Sequence, residues 1–322
     1  MNTALKIWFT VGAALMLLGG LVFVAALAIG GWNIKSLGDV SYTTSTYEFT
    51  DDIKSIYIEC DASNVTLAAS SEQKTLVECF ESRKVNYSVT VKDGKLNIVQ
   101  NHTAWYGKIT FFSFNFPKIT VYLPEAVYDA LTITGVTSDI TVPNDFSFNN
   151  IDIDLTTGDV KCNASATSDI KIRSTTGEIA LDGNSARSLD LKTSSGDISV
   201  SNLLCSEDII VKITSGDTRL SNVKCKSLIS TGTTGDILLK NTAATEKLSI
   251  TRTTGDATFS KCDAGEIFVK ISTGSVTGTL LSDKIFTASS TSGDVSVPKC
   301  TSGGICDITT TTGDISLSIV SE

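Results

Sequence analysis

From about residue 128 onward the chain alternates apolar and polar positions with period two, interrupted at regular intervals by a T/S-G-D triplet: "DLTTGDVKCN", "LKTSSGDISVSN", "LISTGTTGDILLKN", "TTTTGDISLS". The glycines of this triplet are Gly158, Gly177, Gly196, Gly216, Gly235, Gly255, Gly274, Gly293 and Gly313, with Ser138 in a degenerate first copy. The intervals are always 19 or 20 residues. Seven residues before the glycine every copy is apolar (Leu131, Ile151, Ile170, Leu189, Ile209, Leu228, Leu248, Ile267, Phe286, Cys306). Five before it only Ser230 breaks the apolar column. Four before it every copy is polar, from Thr134 through Lys192 and Lys212 to Thr309. Two and four after it the apolar positions resume, as in Ile198 and Val200. Alternation of this kind predicts a strand with one face buried on each side of a sharp turn.

A fixed short period means that each unit stacks on its neighbours. Nineteen residues leave no room for a helical crossover, so the pattern predicts an all-β fold, a single-chain β-solenoid of about ten 19–20-residue coils. Ten coils at a strand spacing of about 4.8 Å make a column of about 45–50 Å. Glycine suits the corner because it takes positive φ without steric cost.

Ahead of the repeat, residues 51–127 carry irregular strands such as "SIYIEC", "NVTLAAS" and "KITVYLP", with a D-G hairpin signal in "VKDGKL". "CDASNVTL" reads as a diverged repeat corner, and the whole region as a β cap on the solenoid. Its aromatics Trp105, Tyr106, Phe111, Phe112, Phe114 and Phe116 fit a cap core or, if exposed, a contact patch. Residues 33–50 read as a polar spacer.

Residues 7–34 carry no charge. The run is long enough for one transmembrane helix, expected over 7–32, with 1–6 as a short cytoplasmic N-terminus and 128–322 as extracytoplasmic repeats. A cleaved signal peptide, with Ala26-Leu27-Ala28 as its A-x-A site, is the competing expectation. The apolar run is longer than the usual signal core.

Charge narrows the functions. The formal net charge is −9 and no strong basic cluster is present, which argues against nucleic-acid binding. His102 is the only histidine, leaving little for a Ser-His-Asp triad or a zinc site. Glycan-cleaving carboxylate pairs need a cleft built from inserted loops, and the unchanging interval leaves no coil with an insertion; the expectation is a non-enzyme with no cofactor. The eight cysteines have no CxxC spacing. Stacked Cys205 and Cys225 would hold their Cβ atoms near 4.8 Å, too far for a disulfide, so most cysteines read as small buried hydrophobes.

One column invites chemistry. The residue after the glycine is acidic in nine of ten copies. Asp159, Asp197, Asp217, Asp236 and Asp256 form a carboxylate ladder that reads either as solvated turn residues making hydrogen bonds or as a site for a hard cation such as Ca²⁺. The nine-residue period and GGxGxD run of calcium-binding solenoids are absent. The Thr/Ser pairs before the glycine, such as Thr233-Thr234, sit at a corner and not on the flat face that orders ice.

The apolar N-terminal segment, "VKDGKLNI", "ITVYLP" and the T/S-G-D-I/V coils together resemble the DUF4097 family, the adhesin-like β-strand-repeat proteins of bacteria, over residues 45–320. The resemblance implies surface attachment, or a regulatory role beside envelope-stress systems, and brings no catalytic motif. The expected function is a membrane-anchored binding module for an envelope glycan or a surface protein. The alternative is an accessory of an envelope-stress sensor acting through its helix, where Gly12, Gly19 and Gly20 offer a small-residue face. A homodimer through the C-terminal solenoid edge is a further expected partner, because an open edge invites pairing.

Overall fold

The computed structural model describes residues 3–29, 42–82, 85–102 and 117–320. One helix, α1 (Thr3–Ile29), opens the chain. Seven strands follow: β1 (Tyr42–Phe49), β2 (Ser55–Cys60), β3 (Asn64–Ala69), β4 (Thr75–Ser82), β5 (Val85–Lys92), β6 (Lys95–His102) and β7 (Lys118–Leu123). The repeat then stacks as a parallel β-solenoid.

Coil rests on coil in the register of the columns. Ile170 pairs with Ile151 below and Leu189 above, and Ile198 with Ile179 and Thr218. The inward columns form one continuous core, with Ile153, Ile172, Leu191 and Val211 all fully buried. The coils in the middle of the column also have a third, short strand that the alternation did not announce. It follows a second corner six residues after the glycine and buries Leu203 and Cys205, or Val223 and Cys225, in successive coils.

The corner glycines are required twice over. Their φ values lie between 122° and 152°. A Cβ on any of the nine would also stand 2.0–2.3 Å from the carbonyl oxygen of the corner residue in the coil it rests on. Ser138 escapes both constraints because the coil below it is different. That coil is β2 and β3, turning at Ser63, with β2 on the strand Val127–Thr137 and β3 on Ile140–Val142. The buried Ser138 hydroxyl accepts from the Ser63 N–H (3.4 Å) and contacts Cys60 Sγ (3.3 Å).

At this end β6 continues the sheet beyond β2, and β7 continues it beyond β3. Antiparallel pairing of β5 with β6, and of β4 with β7 and β1, completes the layer. The D-G hairpin is present, with Asp93 and Gly94 at φ 52° and 72°. Residues 42–49, expected as spacer, form β1 because Tyr47 and Phe49 pack against the core. The expected aromatic patch, Trp105 to Phe116, lies outside the described residues.

The C-terminal end departs from simple order. The strand Gly304–Thr312 pairs with the Gly274 coil on one side (Ile267↔Cys306) and with the strand Lys284–Ser292 on the other (Phe286↔Cys306). The Gly313 coil therefore sits between the Gly274 and Gly293 coils, and the expected open edge belongs to Lys284–Ser292, not to the last strand. Side-chain size at the inward positions accounts for the order: the inner coil has Ile308 and Ile315 where the outer coil has Ala288 and Val295. Cys306, Ile308 and Ile315 are completely buried, whereas the outer coil offers Phe286, Ala288 and Val297, which are only partly buried. The more apolar coil occupies the inner place. Gly303 and Gly304 permit the return. A Cβ at Gly304 would meet the Gly265 carbonyl at 1.7 Å.

Helix α1 occupies most of the expected 7–32 span. Among the described residues no helix is long and apolar enough to cross a membrane, which does not support the expected transmembrane span. The side chains described in α1 are apolar and exposed, among them Leu15, Met16, Leu18, Leu21 and Val22.

Candidate functional site

The acidic column after the glycines is a hydrogen-bond relay between coils. Asn64 Oδ1 accepts from the Asp139 N–H (3.0 Å), and Asp139 Oδ1 from the Asp159 N–H (3.1 Å). Asp159 then accepts from Glu178 (2.8 Å), Asp197 from Asp217 (2.8 Å), Asp217 from Asp236 (3.0 Å), Asp236 from Asp256 (2.8 Å) and Asp256 from Ser275 (2.8 Å). The relay follows the exchanged coil order: Ser275 Oγ accepts from Asp314 N (3.2 Å) and Asp314 Oδ1 from Asp294 N (2.8 Å). Each aspartate from Asp139 to Asp256, and Asp314, satisfies a donor of the neighbouring coil, where turn chemistry alone suggested bonds within its own turn; Glu178 makes no such bond, so the relay has a gap between Glu178 and Asp197.

The structure thus brings Asp159, Asp197, Asp217, Asp236 and Asp256 onto one corner, but not around a point. Arg219 bridges the Oδ2 atoms of Asp197 (2.9 Å) and Asp217 (2.6 Å). The Asp217 N–H and then Arg219 hold the Asp197 carboxyl below its ordinary range. Among the described residues no group of three or more His, Cys, Asp or Glu is arranged to hold a metal ion. The column has at most one carboxylate per coil, with the inner oxygens of its aspartates from Asp139 to Asp256 occupied by backbone N–H groups, and lacks the convergent oxygens that Ca²⁺ requires.

A second polar column was legible but not singled out. Asn202, Asn222 and Asn241 recur at intervals of 20 and 19 residues, six after the glycine. They form the second corner in the left-handed conformation, with φ of 53°, 56° and 48°. The amide of Asn222 donates to Asn202 Oδ1 (2.9 Å), and that of Asn241 to Asn222 Oδ1 (3.0 Å). Asn202 Nδ2 and Ser201 Oγ donate to Asp182 Oδ1 (2.8 and 2.6 Å), which keeps that carboxyl acidic. Asparagine suits this corner because it tolerates left-handed φ and its amide both donates and accepts.

All eight cysteines are free, and all but Cys300 are buried. Burial pushes the thiols of Cys79, Cys162, Cys225 and Cys306 up to about 12, which makes them inert.

Among the described residues two charged side chains are buried: Lys284, which is ion-paired with Asp263 (2.7 Å), and Arg252, which has no carboxylate partner. Arg252, three residues before Gly255, is 2% exposed. Its Nη2 donates to Thr218 Oγ1 (3.1 Å) and Ser230 Oγ (3.0 Å), and its Nη1 to the Thr251 carbonyl (3.2 Å). Nε has no partner. Burial lowers the guanidinium to about 10, still protonated at neutral pH. The polar exceptions Ser230 and Thr218 in otherwise apolar columns serve this one side chain. Gly232 completes the arrangement, since a Cβ there would meet Arg252 Nη1 at 2.8 Å.

With this geometry in view, comparison with known proteins is informative. The Toastrack DUF4097 family model matches residues 53–275 and, in a second match, 187–322. The chain belongs to the DUF4097 family. No curated protein matches it. Three solved structures are similar at the level of fold. A "putative adhesin" of Parabacteroides distasonis is 14% identical, over 87% of this chain and 98% of that one, with TM-score 0.47. A "putative adhesin" of Bacteroides fragilis is 15% identical, over 86% and 98%, with TM-score 0.43. A "putative lipid binding protein" of P. distasonis is 16% identical, over 86% and 97%, with TM-score 0.33. At these values the likenesses assign no activity to the DUF4097 chain described here.

Proposed function

We propose that this DUF4097 protein is an extracytoplasmic binding module held at the cell envelope by its N-terminal helix, with the long faces of the solenoid contacting an envelope glycan or a surface protein. The observation that carries the reading is the uninterrupted column. Every repeat interval is 19 or 20 residues, so the coil faces are straight ladders of polar side chains with no inserted loops to build a cleft. Such a surface suits contact with an extended partner better than turnover of a small substrate. The uncharged run 7–34 and the exposed apolar side chains of α1 support a bilayer tether.

A second reading rests on the face of α1. Nothing lies within 4 Å of a Cβ built on Gly12, Gly19 or Gly20, an open small-residue surface that a partner helix would fit. On this reading the protein serves an envelope-stress sensor through its helix. A homodimer that covers the outer strand Lys284–Ser292 is compatible with either reading, and light scattering would show it as a doubled mass.

Crosslinked pull-down of the full-length protein from its own cells, beside a version with a foreign anchor, separates the two. Recovery of the same wall glycan or surface protein by both versions is the expected result. Recovery of one membrane protein by the native helix alone would replace the first reading with the second.

A further inference from the structure

A groove of about 280 Å³ crosses three successive coils on the strand face before the glycine corner. Its walls include Lys192, Lys212, Thr214, Thr231, Gly232 and Thr233. Lys192 and Lys212 are in-register neighbours on adjacent strands, and both line the groove. Among the described residues neither lysine forms an ion pair, whereas Arg173, next in the same column, is joined to Asp152 at 3.1 Å. Neighbouring like charges repel, and an anion lying between them relieves the repulsion.

The second observation comes from the other side of the same wall. Arg252 is buried, meets hydroxyls and a carbonyl but no carboxylate, and leaves its Nε unpaired. Its guanidinium occupies the inner space behind Gly232, where a side chain would otherwise lie. A buried cation without a counter-charge is costly, and its field reaches through a wall one backbone thick. The groove therefore has two free ammonium groups on its surface, a third positive charge behind its glycine floor, and threonine hydroxyls at its rim. All of this belongs to a chain whose net charge is −9.

We infer that this groove binds phosphate groups of a linear, phosphate-bearing envelope polymer, with Lys192 and Lys212 as direct contacts and Arg252 supplying field from behind Gly232. The arrangement of cations along the coil axis favours a chain of regularly spaced anions over a single small ion. The inference rests on the envelope-binding reading and names the chemistry of its partner.

The test uses the full chain in detergent micelles and a fluorescently labelled inorganic polyphosphate, followed by anisotropy, with inorganic phosphate and anionic phospholipid vesicles as separate arms. Polyphosphate is expected to bind, more weakly as salt rises. The double substitution Lys192→Ser with Lys212→Ser is expected to weaken binding about tenfold, from two exposed contacts of about 0.7 kcal/mol each. Lys270→Ser, in the same column but outside the groove, is expected to leave binding unchanged. Equal binding by the double variant and the parent chain overturns the inference. So does an equal loss from Lys270→Ser, which would mean diffuse attraction, or binding to vesicles alone, which would mean a lipid surface. Inorganic phosphate is expected to compete only at high concentration; competition as strong as that of the polymer would reduce the site to a single-ion pocket and overturn the polymer assignment. Retention on purified cell wall is scored separately. If the double variant is retained like the parent, the groove fails and the envelope reading stands. If the parent binds polyphosphate but not wall, the reverse holds.

Discussion

The middle of the column and its C-terminal end are made from the same repeat yet are assembled by different rules. From Ser138 to Gly274 each coil lies on the one that precedes it in sequence, and the corner carbonyl of one contacts the glycine of the next. At the end the Gly313 coil moves inside the Gly293 coil. Periodicity decides which residues share a column. Which coil occupies which level follows from how much apolar surface each can bury, and there Ile308 and Ile315 exceed their counterparts Ala288 and Val295.

The largest effect is expected at a corner in the regular stretch. Gly216→Ala puts a Cβ 2.3 Å from the Gly196 carbonyl at a φ of 135°. The expected cost is about 3 kcal/mol or more, lowering the thermal midpoint by several degrees. Gly304→Ala is expected to loosen only the terminal coils. If Gly216→Ala melts with the parent chain, close stacking at the corner is not what the glycines are for.

Hydrogen exchange sharpens the comparison next. Amides of Gly304–Thr312, with a strand on each side, are expected to exchange at least about tenfold more slowly than those of the outer strand Lys284–Ser292. The opposite ranking would restore sequential stacking.

Alkaline pH probes the whole core. The thiols of Cys79, Cys162, Cys225 and Cys306 are raised to about 12 by burial, so the folded state keeps protons that the unfolded chain releases near 9. Their contribution is complete below pH 9 and is lost as pH rises toward 12. Arg252 acts in the opposite sense, because its lowered value lets the folded state shed that proton first, above about 10. Circular dichroism should therefore show stability falling above pH 9, less steeply after Cys162→Ala. A flat profile would contradict the burial of these thiols.

The smallest effects belong to the polar columns. Asn222→Ala, at φ 56°, is expected to cost about 1 kcal/mol, and Asn222→Gly less, since glycine accepts that φ. Asp236→Asn retains the acceptor for the Asp256 N–H and should change stability by no more than about 0.5 kcal/mol. The midpoint should be the same in Ca²⁺ and in EDTA, and a rise with Ca²⁺ would return the acidic column to the list of cation sites.

The parts of this architecture that follow from side-chain direction were readable from the chain. Period-two alternation around a recurring glycine places Ile153, Ile172 and Leu191 inward whatever the handedness or order of the coils. The coil exchange was not readable, because the intervals from Gly274 to Gly293 and from Gly293 to Gly313 are 19 and 20 residues, like all the others. The relay role of Asp217 or Asp256 was hidden for a related reason: its partner lies one coil away, and sequence spacing shows only that the aspartates recur. The asparagine corner left a signal in Asn202, Asn222 and Asn241 that needed only a second column to be counted. Arg252 left none, since its column mixes Leu155, Ser174, Thr193, Ile213 and Gly232, and one arginine among them carries no period.

The exchanged coils also alter how the molecule comes apart. Chain ends ordinarily fray first, because a terminal strand has one neighbour and little to hold it. Here the final strands are clamped between two others, and the most weakly held layer is an internal segment closed at both ends by the chain itself. To leave the column, these final strands must be separated from both neighbours at once. Unravelling is expected to begin in the outer coil that starts at Lys284, which has a neighbour on one side only.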